Sequence, residues 1–165
     1  MPMRCRAGAW KPDSLGWGLL DADTDVPIDP VAQISDERIE MTDWELQDFA
    51  VQVVRDQLEK TGKRLLSWQG NPSVDPSIWF VGVDGPEWVL VRALRYPQRT
   101  AKLPENWRQI AESCARIGKV GHSASVSVAN ADDAFDPTGV VPATPLWRGH
   151  ALRASFDGLV AGQVG

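Results

Sequence analysis

The chain has 165 residues, of which 43% are hydrophobic and 24% charged, an ordinary composition for one globular domain. No apolar run reaches the length of about eighteen residues that a membrane-spanning helix needs, and two cysteines are too few for a disulfide framework. The net charge of −5 disfavours general nucleic-acid binding, although residues 92–119 form a local basic stretch. No apolar segment follows the basic start of the chain, which predicts a cytoplasmic protein.

The sequence predicts two regions of different character. Residues 1–40 lack sustained periodicity and contain several prolines and aspartates. They are expected to form an irregular acidic N-terminal arm with one short strand near residues 16–20. Residues 41–160 carry regular apolar patterns and are expected to form a single α/β domain.

The first predicted helix has clear signals at both ends. Thr42 and Glu45 have the spacing of a capping box, and the helix is expected to run to about Thr61, where Gly62 offers a left-handed stop. Its apolar residues recur at a spacing of three and four, which predicts one buried stripe. The stripe consists of Leu46, Phe49, Ala50, Val53, Val54 and Leu58.

A β-hairpin is the central predicted element of the domain. Two apolar runs, residues 78–83 and 88–94, flank the dipeptide Asp84-Gly85, which favours the two positive-φ residues of a type I′ turn. Both runs are apolar on successive residues, so both faces of the hairpin should be covered. The hairpin is therefore expected in the middle of a sheet with a helix on each side.

Further elements are predicted before and after the hairpin. Residues 64–69 are expected to form a strand with Leu66 and Trp68 on one face. A second helix is expected to begin at Pro104 and to end before Gly118. Its apolar stripe consists of Trp107, Ile110, Ala111, Cys114 and Ile117.

Two alternating segments complete the domain around a long loop, residues 130–149. The first begins at His122 and alternates with serines, which predicts a strand with one solvated face, and the second begins at His150. If these strands pair, His122 and His150 would be neighbours and could together bind a metal ion or act as an acid–base pair. The alternative is that both histidines have a structural role. The fold class is therefore α/β (α+β), with the order αβββαβ and a central mixed sheet flanked by two helices.

This element order resembles the restriction-endonuclease-like, PD-(D/E)xK, nuclease superfamily over about residues 42–129. The resemblance implies that Glu45 on the first helix, Asp75 before the second strand and a nearby acid such as Glu87 would hold Mg²⁺. The third strand departs from the family pattern, because Leu-Val-Arg ending at Arg92 replaces E-x-K. A metal-dependent nuclease or nucleic-acid-binding protein is therefore the alternative function, with Mg²⁺ as the cofactor that only this alternative requires.

The first hypothesis is a non-catalytic module that binds another protein. Eight tryptophans are a high number for this length, and tryptophan and arginine are enriched in interface hot spots. The predicted partner-binding residues are Trp147 and Arg148 at the end of the long loop, Asp132 and Asp133 at its start, and Arg95. Such a module would serve as an immunity or accessory protein that neutralises a toxin or acts in secretion or defence. A small-ligand sensor with a tryptophan-lined pocket is a third possibility.

Overall fold

The structure is a computed structural model that describes residues 3–6, 9–12, 20–21, 23–27, 37–133 and 142–162. The chain divides into two compact units, Met1–Glu37 and Arg38–Gly165. The short strand predicted near residues 16–20 lies almost entirely outside the described residues. No helix in the described part of the chain is long and apolar enough to cross a membrane.

The first unit contains a small hairpin. Strand β1 (Met3–Arg6) pairs antiparallel with β2 (Ala9–Pro12). The prediction of an irregular arm is wrong for these residues, because strands of four residues are too short to show a clear apolar period.

The second unit is a mixed sheet with two helices, which confirms the predicted fold class. Its elements are α1 (Asp43–Lys60), β3 (Leu65–Trp68), β4 (Ile78–Val81), β5 (Pro86–Arg95), α2 (Trp107–Cys114), β6 (Val120–Asn130), β7 (Leu152–Phe156) and β8 (Val160–Ala161). The strand order is β3-β4-β5-β6-β7, and β8 pairs with the first half of β6. β5 and β6 are parallel, and the other neighbours are antiparallel.

Each helix covers one face of the sheet, as predicted for a hairpin that is apolar on both sides. On the α1 face, the helix packs on alternate residues of β4, β5 and β6: Ile78, Phe80, Val89, Val91, Ala124, Val126 and Val128. On the α2 face, a smaller cluster contains Trp88, Leu90, Trp107, Ile110 and Cys114. The rings of Trp88 and Trp107 are 4.9 Å apart between centroids.

The hairpin turn differs from the predicted type I′ turn. Val81 lies opposite Pro86, and the Gly82 N–H donates to the Gly85 carbonyl over 2.8 Å, so the turn is not centred on Asp84-Gly85. A type I′ turn at that dipeptide would be closed by the N–H of the next residue. That residue is Pro86, which has no N–H to donate.

The faces of β3 also differ from the prediction. Leu65 lies opposite Phe80 and Trp68 lies opposite Ile78, with a register shift between these two pairs. Residues directly opposite in a sheet point to the same face, so Trp68 shares the α1 face with Leu65 rather than a face with Leu66. The irregularity adds one residue to the strand and thereby breaks the simple alternation.

Helix α1 begins and ends where predicted, with Thr42 as N-cap, Thr61 as C-cap and Gly62 at φ +80°. Its buried stripe also includes Gln47 and Val51, whereas two residues of the predicted stripe, Phe49 and Val53, are only partly buried.

Helix α2 is shorter than predicted. It begins at Trp107, whose N–H donates to the Pro104 carbonyl over 3.0 Å in the turn before the helix. It ends at Cys114, and the Gly118 N–H returns to the Cys114 carbonyl over 3.0 Å. Ile117 lies beyond the helix and is 64% exposed, so it is not part of the buried stripe.

Candidate functional site

The end of the long loop is paired with the chain segment that leads into α1. The Met41 N–H donates to the carbonyl of the buried Leu146 over 2.8 Å, and Glu40 forms an antiparallel bridge with Trp147. The Arg38 guanidinium lies 5.9 Å from the Trp147 ring centroid. Trp147 is therefore held by contacts within the fold.

Arg148 binds Glu45, the glutamate of the α1 capping box. The Thr42 N–H and hydroxyl both donate to Glu45 Oε2 over 2.9 Å, and Thr42 Oγ1 accepts from the Glu45 N–H over 3.2 Å. Arg148 Nε lies 2.8 Å from Glu45 Oε1. The hydrogen bond from Arg148, with those from Thr42, lowers the pKa of Glu45 to about 2. Both oxygens of this carboxylate are therefore occupied by donors within the protein.

Arg95 binds the same region from the end of β5. Its guanidinium contacts Asp43 Oδ1 at 2.7 Å, Glu40 Oε1 at 3.7 Å and the Met41 carbonyl at 3.2 Å. These contacts connect the strand end to the first turn of α1.

The two aspartates at the start of the loop differ in environment. Asp133 Oδ2 accepts from the Thr144 hydroxyl over 2.6 Å and from Asn130 Nδ2 over 2.9 Å. The hydrogen bond from Thr144 lowers the pKa of Asp133. Asn130 also accepts from the Trp147 N–H over 3.2 Å, so it joins both ends of the loop. Asp132 is exposed.

The structure brings together two positions that the nuclease resemblance singles out. Arg92 binds Asp75 through two parallel hydrogen bonds, Nη1 to Oδ1 at 2.9 Å and Nη2 to Oδ2 at 2.7 Å. The two side chains are 27% and 17% exposed. A bidentate arginine leaves little of the carboxylate available to a metal ion.

Glu87 lies at the other end of β5, where His122 Nε2 is 2.7 Å from Glu87 Oε2. His122 and His150 are not neighbours. β6 and β7 pair antiparallel with Asn130 opposite Leu152, eight residues beyond His122, or about 26 Å along the strand.

The structure does not assemble the three carboxylates of the metal-binding alternative. Glu45, Asp75 and Glu87 each bind a different basic side chain. Within the described ranges, no group of three or more His, Cys, Asp and Glu residues is arranged to hold a metal ion.

An apolar edge of the sheet was not predicted as a site. β3 is the last strand in the sheet order, and its Leu66 and Trp68 are 47% and 51% exposed. Trp44 on α1 is 53% exposed, and the Arg55 guanidinium lies 5.4 Å from the Trp68 ring centroid. The sequence signal was the tryptophan count, but the count alone does not tell exposed rings from buried ones.

A cavity at the far end of β6 was also missed. It has a volume of about 200 Å³ and is lined by Tyr96, Arg99, Ser127, Ala129, Asn130, Asp133, Arg153, Ala154 and Ser155. No tryptophan is among the described residues that line it. The prediction of a solvated serine face on β6 is wrong at Ser127, which is 4% exposed. Part of that face is covered by the segment after β5, where the Ala101 N–H donates to Ser125 Oγ over 3.0 Å.

The fold and these contacts define an α+β domain with a six-stranded mixed sheet, one helix on each face, and Glu45 and Asp75 each bound by an arginine. The family model described as "Domain of unknown function (DUF8840)" matches residues 44–161, and the chain belongs to this family. Neither a curated protein nor a solved structure matches the chain.

Proposed function

We propose that this domain is a non-catalytic protein-binding module, used as an immunity or accessory protein that neutralises a toxin or serves a secretion or defence system. The contacts of Glu45 and Asp75 with arginines and of Glu87 with His122 support the non-catalytic part, because each carboxylate already has a partner within the domain. The resemblance to the nuclease superfamily stays a prediction.

The observation that carries the binding part is the exposed edge formed by β3. An edge strand presents backbone groups that an extended segment of another protein can pair with. Trp68 and Leu66 add exposed apolar side chains along this edge, and tryptophan is the side chain most enriched in interface hot spots.

The predicted residues around the long loop support binding less well than the β3 edge. Trp147, Arg148, Arg95 and Asp133 all make contacts within the domain. A partner at that surface would have to break several of them. Asp132 is exposed, so a partner could contact it without breaking a contact within the domain.

Comparative capture from an extract of the source cells tests the proposal. The tagged full chain is compared with Trp68→Lys and with the control Val83→Lys, a residue that is 89% exposed at the hairpin turn. We expect one protein to be retained by the wild type and by the control and lost with Trp68→Lys. With the purified pair, affinity should fall by about 30-fold, the cost of removing a hot-spot side chain worth about 2 kcal/mol. Equal affinity of both variants, with folding verified by circular dichroism, would refute binding at this edge.

Calorimetric titration with Mg²⁺ and Mn²⁺ tests the non-catalytic part. We expect no binding heat, because the bidentate Arg92 contact occupies Asp75. Binding that disappears in Asp75→Ala would overturn this part of the proposal and favour the metal-dependent nuclease.

A further inference from the structure

We propose that the cavity between the end of β5, β6 and β7 binds a small organic monocarboxylate, with the apolar body of the ligand inside the cavity and its carboxylate held by Arg99 and Arg153. This cavity is called the β6–β7 cavity below and consists of the nine lining residues given above. The proposal does not depend on the β3 edge.

The position of the cavity follows from the register of the strands. Ser127 lies opposite Ser155, and Ala129 lies opposite Arg153, so these four residues share one face of the sheet. Tyr96 follows the last residue of β5. The cavity thus lies at the carboxyl ends of the two parallel strands, where ligands commonly bind in open α/β sheets.

The charges at the cavity favour a monoanion. Neither Arg99 nor Arg153 has an ion-pair partner among the residues that the structure describes, and both are exposed. Arg99 lies over the Tyr96 ring at 5.8 Å. Asp133 contributes one negative charge, because the Thr144 hydroxyl donates to its carboxylate. Two positive charges and one negative charge leave a net charge of +1, which suits one carboxylate better than a phosphate dianion.

A second observation indicates a polar ligand atom. Ser127 is 96% buried, since its exposed fraction is 4%. Its Oγ has no hydrogen-bond partner among the described residues. A buried hydroxyl without a partner has lost its hydrogen bonds to water and gained none in return. One oxygen of the ligand carboxylate, held by Arg99 and Arg153 beside Ser127 in the cavity wall, would accept a hydrogen bond from this hydroxyl and recover part of that cost.

The size and the walls favour a compact apolar body. Carbon atoms form most of the wall, to which Ala129, Ala154 and Tyr96 contribute. An engineered apolar cavity of about 150 Å³ holds benzene, so a cavity of about 200 Å³ has room for a six-membered ring with a carboxylate. Drug-sized ligands need pockets of roughly 300 Å³ or more and would not fit.

Calorimetry and saturation-transfer NMR on the full chain test this inference with benzoate and cyclohexanecarboxylate as probes. Benzyl alcohol tests the need for the charge, and inorganic phosphate tests the need for the apolar body. We expect at least one carboxylate to bind, benzyl alcohol to bind about tenfold more weakly because it loses the charged contact, and phosphate not to compete.

Variants locate the binding. Arg153→Gln changes an exposed side chain and should weaken carboxylate binding about tenfold, whereas Ser127→Leu should abolish it by filling the cavity. Arg116→Gln removes the same charge from an exposed site after α2 and should leave the affinity unchanged. The inference is overturned if neither carboxylate binds, if phosphate or benzyl alcohol binds as well as benzoate, or if Arg153→Gln has no more effect than Arg116→Gln.

Discussion

Replacing Gln47 by Met should destabilise the domain strongly, because this side chain completes the hydrogen bonding of β5. β4 pairs with β5 only as far as Val89. Beyond that point, Gln47 Nε2 donates to the Val91 carbonyl over 2.9 Å, and Gln47 Oε1 accepts from the Ala93 N–H over 3.1 Å. Gln47 is 5% exposed. Methionine has a similar length but offers neither a donor nor a comparable acceptor.

The expected loss of stability in Gln47→Met follows from the hydrogen bonds that each backbone group keeps in the variant. The Val91 carbonyl also accepts from Arg92 Nη1 over 3.0 Å, so it loses one of two bonds, worth about 1 kcal/mol. The Tyr96 N–H donates to the Val128 carbonyl, and N–H groups alternate in direction along a strand, so the Ala93 N–H points away from β6. Leaving it unsatisfied costs about 1–3 kcal/mol. The free energy of unfolding should therefore fall by about 2–4 kcal/mol.

Urea denaturation of the full chain measures this loss against a matched control. Gln52→Met makes the same change on the exposed side of α1, where Gln52 Nε2 donates to Asp48 over 2.7 Å. Such a surface pair on a helix contributes about 0.2–0.5 kcal/mol. If Gln47→Met costs no more than Gln52→Met, the reasoning about the β5 backbone is refuted.

Three further predictions concern single side chains. Removing the Arg148 cation in Arg148→Gln should raise the pKa of Glu45 from about 2 toward its ordinary value, as NMR titration would show. A carboxylate with a lowered pKa stabilises the fold above its unfolded pKa and loses that contribution as the pH falls toward 2, so the variant should lose less stability in this range than the wild type. Gly121→Ala should reduce the free energy of unfolding by about 1–3 kcal/mol, since its Cβ would overlap the fully buried Trp88 ring; an unchanged urea midpoint would contradict this. Burial raises the pKa of the Cys114 thiol, so mass spectrometry should detect alkylation of Cys114 in urea and almost none in the native protein at pH 8, whereas equal rates would contradict its burial.

Local signals were sufficient to predict both helices and strands β3 to β7, but not the hairpin β1–β2, strand β8 or every register. The boundaries of α1 could be predicted because Thr42 and Gly62 act within one turn of the chain. The prediction of the hairpin turn was wrong because the type I′ rule considers only Asp84-Gly85. The next residue, Pro86, has no N–H to donate the hydrogen bond that closes such a turn. The prediction of which β3 residues share a face was wrong, because an inserted residue cannot be recognised from alternation alone.

The polar contacts could not be predicted, since they depend on which distant segments the fold brings together. Glu45 and Arg148 are 103 positions apart in the chain. A carboxylate on a helix looks the same in the sequence whether it binds Mg²⁺ or an arginine. Gln47 was missed for a related reason, because a stripe defined by apolar residues treats a glutamine inside it as exposed.

The lengths of the two elements on the α2 face explain why a cavity forms there. The eight residues of α2 span about 12 Å, whereas the eleven residues of β6 span about 36 Å. The helix therefore covers the first part of this face, around Trp88 and Leu90, and leaves the carboxyl ends of β5 and β6 to the irregular segment 96–101. Such a segment cannot fill a sheet face as evenly as a helix does, because its own backbone groups also need partners. The β6–β7 cavity lies where this irregular cover replaces the helix, which ties the proposed ligand site to the shortness of α2.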